Sequence, residues 1–242
     1  SVIQQSFLDI EYIVIDGAST DNSVSVISQY ESKINHWISE KDNGVYHAMN
    51  KGIAKATGDY LLFLNSGDYL HSPESLHRLF DGNAGEDLIY GNLQVQETTK
   101  SWVKEYPSTL TFSYFLRDTL PHPATLIKRS LLEGIGFNEK FKIVSDWEFF
   151  IVSICKNGAS YKHVDQTISV FNYDGISSNP ANASLIRDEK NKTLEAQFKT
   201  FLEDYRSYFE VQQAYEMLVN SKPQRAISKI KRMPFVSSFF KS

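Results

Sequence analysis

The chain has 242 residues, of which 41% are hydrophobic and 22% charged, and carries a net charge of −4. That length suffices for one large α/β domain with a sizeable core, and the charge excludes a general attraction to nucleic acid. The single cysteine, Cys155, excludes an internal disulfide and a cysteine-rich metal site, and no apolar run approaches the ~18 residues of a membrane span.

In chain order, Ser1–Phe7 reads as the end of a helix, with no strand ahead of it. Residues 11–15 then predict a strand, and 21–32 a helix capped by the Ser19, Thr20 and Asp21 cluster. Residues 35–39 predict a short strand, 45–56 a helix, 60–64 a strand, and 73–80 a helix with Pro73 in its first turn. This alternation argues for a mostly parallel twisted sheet flanked by helices. From about residue 87 the rhythm changes. Residues 88–104 predict a hairpin, 109–117 a short helix, 124–128 a strand, 144–156 a helix and 160–172 two short strands. Residues 183–219 are charged, with apolar positions at helical spacing. The expected division is a catalytic domain over 1–180, with a nucleotide-binding half (1–85) and an acceptor half (86–180), then a helical extension over 181–242.

The apolar strands share one habit: they stop at acidic turns. Tyr12–Ile15 runs into Asp16-Gly17-Ala18-Ser19, and Tyr60–Leu64 into Asn65-Ser66-Gly67-Asp68. Open α/β sheets bind ligands at the carboxyl ends of their strands. Carboxylates gathered there suggest a divalent cation and a polar, phosphorylated ligand, hence an enzyme.

Five segments, taken in order, resemble family 2 glycosyltransferases with the GT-A fold. They are Glu11–Asp21, Glu40–Gly52 (EKDNGVYHAMNKG), Ala56–Asp68, His122–Thr125, and Gly136–Glu139 followed by Ser145–Glu148. Together they span about residues 1–175. The family's opening strand is not seen ahead of them, so the sequence reads as lacking its first element. The DXD-type motif is here Asn-Ser-Gly-Asp, with Asp68 its carboxylate.

The resemblance implies a role for each matched residue. Asp68 would hold Mg2+ or Mn2+ against the diphosphate of a nucleotide sugar. Asp16, Asp42, Asn50 and Asn65 would bind that donor. Asp146 would be the general base that takes the proton of the acceptor hydroxyl; its plain alternative is a helix cap. His122 and Glu148 would lie on the acceptor side. The implied activity is inverting transfer of a sugar to a hydroxyl of a growing surface glycan or lipid-linked glycan. The location expected is cytoplasmic, at the inner face of the membrane. Two other readings stay open: a sugar-nucleotidyltransferase, and a truncated, non-catalytic glycan-binding protein. Six Lys and Arg and no acidic residue follow Glu216, interleaved with Phe235, Phe239 and Phe240. Such a tail suits peripheral contact with an anionic membrane, or is simply solvated.

Overall fold

The computed structural model describes residues 1–81, 85–173 and 175–220. The basic, aromatic tail from residue 222 onward lies outside the described residues, and so does its expected membrane contact.

The elements in chain order are β1 (Ile13–Asp16), α1 (Ser23–Gln29), β2 (His36–Ser39), α2 (Val45–Lys55), β3 (Tyr60–Leu61), β4 (Tyr69–Leu70) and α3 (Ser75–Phe80). There follow β5 (Leu88–Gln96), β6 (Ser101–Lys104), α4 (Phe112–Phe115), β7 (Thr125–Lys128), α5 (Arg129–Leu132), α6 (Ser145–Ile151), β8 (Tyr161–Asn172), α7 (Ala183–Gln197) and α8 (Lys199–Asn220). Two compact units result, Ser1–Lys190 and the residues from Asn191 on.

β1 and β2 form a parallel pair in which Asp16 stands opposite Ser39. The larger sheet is mixed, in the order β3-β7-β5-β8-β4, with β6 on the far part of β5. Its centre is the parallel pair β5–β8, and its flanking ladders are antiparallel. β5 is buried along nearly its whole length, as a central strand covered on both faces must be. Leu88, Ile89, Tyr90, Ile127 and Ile168 of this sheet pack with Phe150 and Ile151 of α6 into the core, each fully buried.

Several elements differ from their sequence-based expectations. Ser1–Phe7 is not helical. Instead Gln5, buried, crosses to α3: its amide donates to Ser72 O at 2.8 Å and its carbonyl accepts from Leu76 N at 3.1 Å. Phe7 meets Phe80 edge-on at 5.4 Å. A side chain thus satisfies backbone groups that a helix would have paired locally. The strand expected over 60–64 ends its ladder at Leu61, and the chain then enters the 65–68 turn. The helix expected over 144–156 is α6 continued by a π turn, Val152–Lys156.

Residues 160–172, expected as two strands, form one strand, β8. The break falls in the pairing instead, as register shifts between Tyr90 and Leu93. Gly91 sits at that irregularity because a Cβ there would come within 2.8 Å of Gln166 O and crowd Ile168. Gly91→Ala is therefore expected to force β5 and β8 apart and to lower stability by about 1–3 kcal/mol in urea unfolding. An unchanged midpoint would show that the bulge tolerates a side chain.

Candidate active site

The site grows from the ends of β1 and β2. Asp16, the last residue of β1, accepts from Ser19 N at 3.0 Å, from the Ser19 hydroxyl, and from the Ser39 hydroxyl at 2.6 Å. The Ser19 and Ser39 hydroxyls hold its carboxyl below the usual aspartate range, outweighing burial. Ala18 takes a φ of 64° in this turn, a conformation that costs a non-glycine residue of order 1 kcal/mol. A Cβ on Gly17 would collide with the Asp42 carboxylate, so the small residue lets the β1 turn and the loop before α2 lie against each other. Asp42 Oδ1 accepts from Gly44 N at 2.9 Å, and Lys51 of α2 reaches back to Glu40 at 3.0 Å and to Lys41 O at 3.2 Å. Asp21 accepts from Ser23 N at 2.9 Å at the start of α1.

Four residues then form a chain of hydrogen bonds. Asn65 Nδ2 lies 3.0 Å from His122 Nε2, and His122 Nδ1 lies 3.1 Å from Asp146 Oδ2. The Tyr46 hydroxyl is 2.8 Å from Asp146 Oδ1 and 2.6 Å from Ile143 O. With the Asn65 amide nitrogen donating, His122 Nε2 is the acceptor, so Nδ1 carries the proton and donates to Asp146. Asp146 lies in the first turn of α6, where the helix dipole favours an anion, and its side chain is only 14% exposed. Burial pushes its carboxyl up, but the hydrogen bonds from His122 and Tyr46 outweigh that, and it lies below the usual aspartate range. Burial drives the Tyr46 phenol upward, so Tyr46 keeps its single proton, which Asp146 Oδ1 and Ile143 O share. The result is a nearly enclosed carboxylate, ionised at neutral pH, with a donor on each oxygen.

The remaining expected residues fall into two places. Asn50, one helical turn after Tyr46, donates to Phe137 O and to Glu139, both at 2.8 Å, and accepts from Phe137 N at 2.7 Å. Its amide thus clasps the 136–139 loop. That loop is held from the other side by α6, where Asn138 donates its amide to Glu148 at 2.9 Å and its backbone N–H to the Ser145 hydroxyl. Asp68 closes the turn that Asn65 opens, with Oδ1 3.4 Å from Asn172 N at the end of β8 and its own N–H donating to Asn65 O at 3.0 Å. Among the described residues no three His, Cys, Asp or Glu side chains cluster as metal ligands.

Two residues escaped the sequence reading. Tyr46 lay inside a matched segment but reads as one more apolar position of α2. Glu189 lies in a run of mixed charge on α7. It is buried, and its carboxylate accepts from three successive backbone N–H groups, Lys142 at 2.7 Å, Ile143 at 3.1 Å and Val144 at 3.2 Å. Nothing local distinguishes it from its exposed neighbours.

A parallel strand pair ending in an acidic turn, beside a mixed sheet flanked by helices, is a GT-A-like glycosyltransferase fold. Solved structures agree on the fold. TarS of S. aureus, whose structures include a complex with UDP-GlcNAc, gives a TM-score of 0.55 in that complex at 19% identity, covering 71% of this chain and 52% of TarS 1–349. The mannosyltransferase PcManGT of Pyrobaculum calidifontis, solved with GDP-Man and Mn2+, gives 0.53 at 14% identity, covering 98% of this chain and 80% of that one. The chain thus spans about half the length of the TarS chains it matches. Residues 1–133 match the family model for glycosyl transferase family 2, and the chain belongs to that family. Among its relatives, the PGL/p-HBAD biosynthesis glycosyltransferase of Mycobacterium bovis is 29% identical over 186 residues, 74% of this chain and 72% of that protein. An uncharacterized glycosyltransferase of Mycobacterium tuberculosis is 34% identical over 147 residues, 59% of this chain and 56% of that protein.

Removing the Glu189 carboxylate strands three buried or half-buried N–H donors just ahead of α6. Glu189→Ala is expected to lower stability by roughly 3 kcal/mol or more, read from urea unfolding. A loss under about 1 kcal/mol would mean that water replaces the carboxylate.

Proposed function

We propose that the protein transfers a sugar, with inversion, from a nucleoside-diphosphate sugar to a hydroxyl of a growing or lipid-linked surface glycan. The observation that carries this reading is Asp146, an ionised carboxylate shielded from water and gripped by His122 and Tyr46. In this reading the donor lies along the β1 turn and the loop before α2. Asp16 shapes the turn, Asp42 borders it, Asn65 marks the donor side of the hydrogen-bonded chain, and Asn50 serves the donor by bracing α2 against the 136–139 loop. His122 orients the base, and Glu148 faces the acceptor side.

In the transfer, the acceptor O–H gives its proton to Asp146 as its oxygen bonds to the anomeric carbon. The bond from that carbon to the diphosphate oxygen breaks, and its electron pair leaves with the nucleoside diphosphate. A carboxylate with a lowered pKa is a weak base. That suffices where the sugar develops oxocarbenium character before the acceptor is fully bonded, because the hydroxyl grows acidic only as it attacks.

In this reading a divalent cation at the 65–68 turn would take one carboxylate from Asp68 and most of its ligands from phosphate and water. Mg2+ or Mn2+ held by Asp68 would neutralise charge on the leaving diphosphate. The Mn2+ in the PcManGT complex supports this assignment, and the PGL/p-HBAD relative supports a glycan or glycolipid acceptor. We assign the activity to the cytoplasm, where nucleotide sugars are made.

Calorimetric titration with UDP and with GDP, each with and without Mn2+, tests the donor site. One of the two is expected to bind, and to bind more tightly with Mn2+. Asp68→Ala is expected to weaken the Mn2+-dependent binding by about tenfold or more; unchanged binding would remove Asp68 from the metal site. Asp146→Asn is expected to lower turnover by about 10²–10⁴-fold while donor affinity persists. Near-normal turnover in that variant would rule out Asp146 as the base.

A further inference from the structure

One face of the larger sheet carries a row of side chains that the site described above leaves unused. Val95 of β5 stands opposite Trp102 of β6 on one side and opposite Phe171 of β8 on the other. Residues opposite one another in a ladder share a face, so Trp102, Val95 and Phe171 lie on the same side. Two residues back along β5, and so on that face as well, Leu93 pairs with Ser169. The Ser169 hydroxyl donates to Pro123 O, which seats the turn that carries His122 on this face. On the neighbouring ladder Tyr69 pairs antiparallel with Val170, so the preceding residue, Asp68, is level with Phe171. The row Asp68, Phe171, Val95, Trp102 thus crosses four strands, roughly 14 Å at the usual strand spacing.

The far end of this row is aromatic and open. The rings of Trp102 and Tyr173 have centres 6.2 Å apart, and Tyr173 meets Phe171 edge-on at 6.4 Å. Trp102 is 37% exposed and Tyr173 47%, whereas tryptophan is a highly buried residue on average. Both are braced. Lys100 Nζ lies 5.1 Å from the centre of the Trp102 ring and 3.4 Å from Glu97 Oε2. Tyr173 N donates to Gln96 O at 2.9 Å. Trp102 and Tyr173 therefore form a held aromatic shelf with charged groups at its border.

We propose that Trp102 and Tyr173, backed by Phe171, form an acceptor subsite that stacks a pyranose ring of the glycan at a distance from the hydroxyl being glycosylated. The proposal rests on the transfer reading above, which supplies the glycan. A pyranose presents C–H bonds on its face and hydroxyls at its edge. The C–H face suits the negative face of an aromatic ring, and the hydroxyls meet Lys100 and Glu97. Other occupants fit less well. A protein partner needs about 800 Å² on each side of a stable interface, far more than this group of rings offers. A lipid chain would meet the charged Lys100 and Glu97 pair, which it cannot solvate. The span of the row also separates the roles. Trp102 lies too far from Asp68 to touch a sugar held at the diphosphate, so the shelf reads the acceptor, which enters from the β6 edge.

The chain has three tryptophans, Trp37, Trp102 and Trp147, so fluorine NMR of the full chain labelled with fluorotryptophan reports each ring separately. Trp102→Phe identifies the Trp102 resonance. The probes are the methyl pyranosides of glucose, mannose, galactose and rhamnose. At least one is expected to shift the Trp102 resonance saturably while those of Trp37 and Trp147 stay in place. Tyr173→Ala is expected to weaken that binding by about threefold or more, with the Trp37 and Trp147 resonances at their parent positions showing that the variant has folded. A Trp102 resonance that none of the probes moves overturns the proposal, and so does binding that Tyr173→Ala leaves unchanged. Failure of the transfer reading shows separately, as absent UDP and GDP binding in the calorimetric titration, because the glycosides need no donor.

Discussion

The architecture depends on one helix face. Tyr46 and Asn50 lie four residues apart on α2 and so project from the same side. Tyr46 bonds the start of α6 through Asp146 and the Ile143 carbonyl, and Asn50 bonds the 136–139 loop that α6 also grips. Behind them, α2 packs on β1, with Gly52 facing Ile15. Ile15 precedes Asp16, so a single rigid element links the acidic turn of β1 to the carboxylate of α6. Tyr46 and Phe137 also meet ring to ring at 5.7 Å, which adds apolar contact to the polar clasp. A displacement of α2 would therefore disturb both places at once.

The second constraint is electrostatic. Asp146 is shielded enough that burial alone would favour its neutral form. It remains a carboxylate because His122 and Tyr46, from two separate elements, converge on its two oxygens. Each donor is fixed in turn: His122 by Asn65 and by the prolines that flank it, Tyr46 by Ile143, and the Ile143 turn by Glu189. A charge-assisted hydrogen bond gains its strength in such a dry setting only if its partners need not reorganise. That explains why so much of the polar bonding around α6 serves to fix side chains in place.

Much of this was legible in the residues alone. The strand-turn-helix rhythm of the first 80 residues, the acidic turns after β1 and β3, and the ordered segments that carry Asp146, His122 and Asn65 are local features. Local spacing and composition encode them. What the residues could not show was which of these would touch. Asn65 and His122 are 57 positions apart, and His122 and Asp146 are 24 apart, and no periodicity reports such a distance. Glu189 was illegible for a stronger reason. Its neighbours Arg187, Asp188 and Lys190 make the segment look like a solvated helix face, and burial of one carboxylate among them is decided by what α7 packs against. Ser1–Phe7 misled in the opposite direction. It read as the end of a helix, whereas Gln5 pairs with the backbone around α3, a partner some 70 residues away.

The sequence by itself determined the α/β class, most of the helices and strands, the family, and the residue types available for chemistry. All of these follow from short-range propensity, from the period of the apolar positions, and from motifs a few residues long. The tertiary structure decided which carboxylate is shielded and ionised, that α7 completes its surroundings, and that α2 carries the bonds between the two halves. Those outcomes depend on burial and on hydrogen-bond partners brought from distant parts of the chain. The free energy of a charge is set by everything within a few ångströms of it, and only the fold determines what that is.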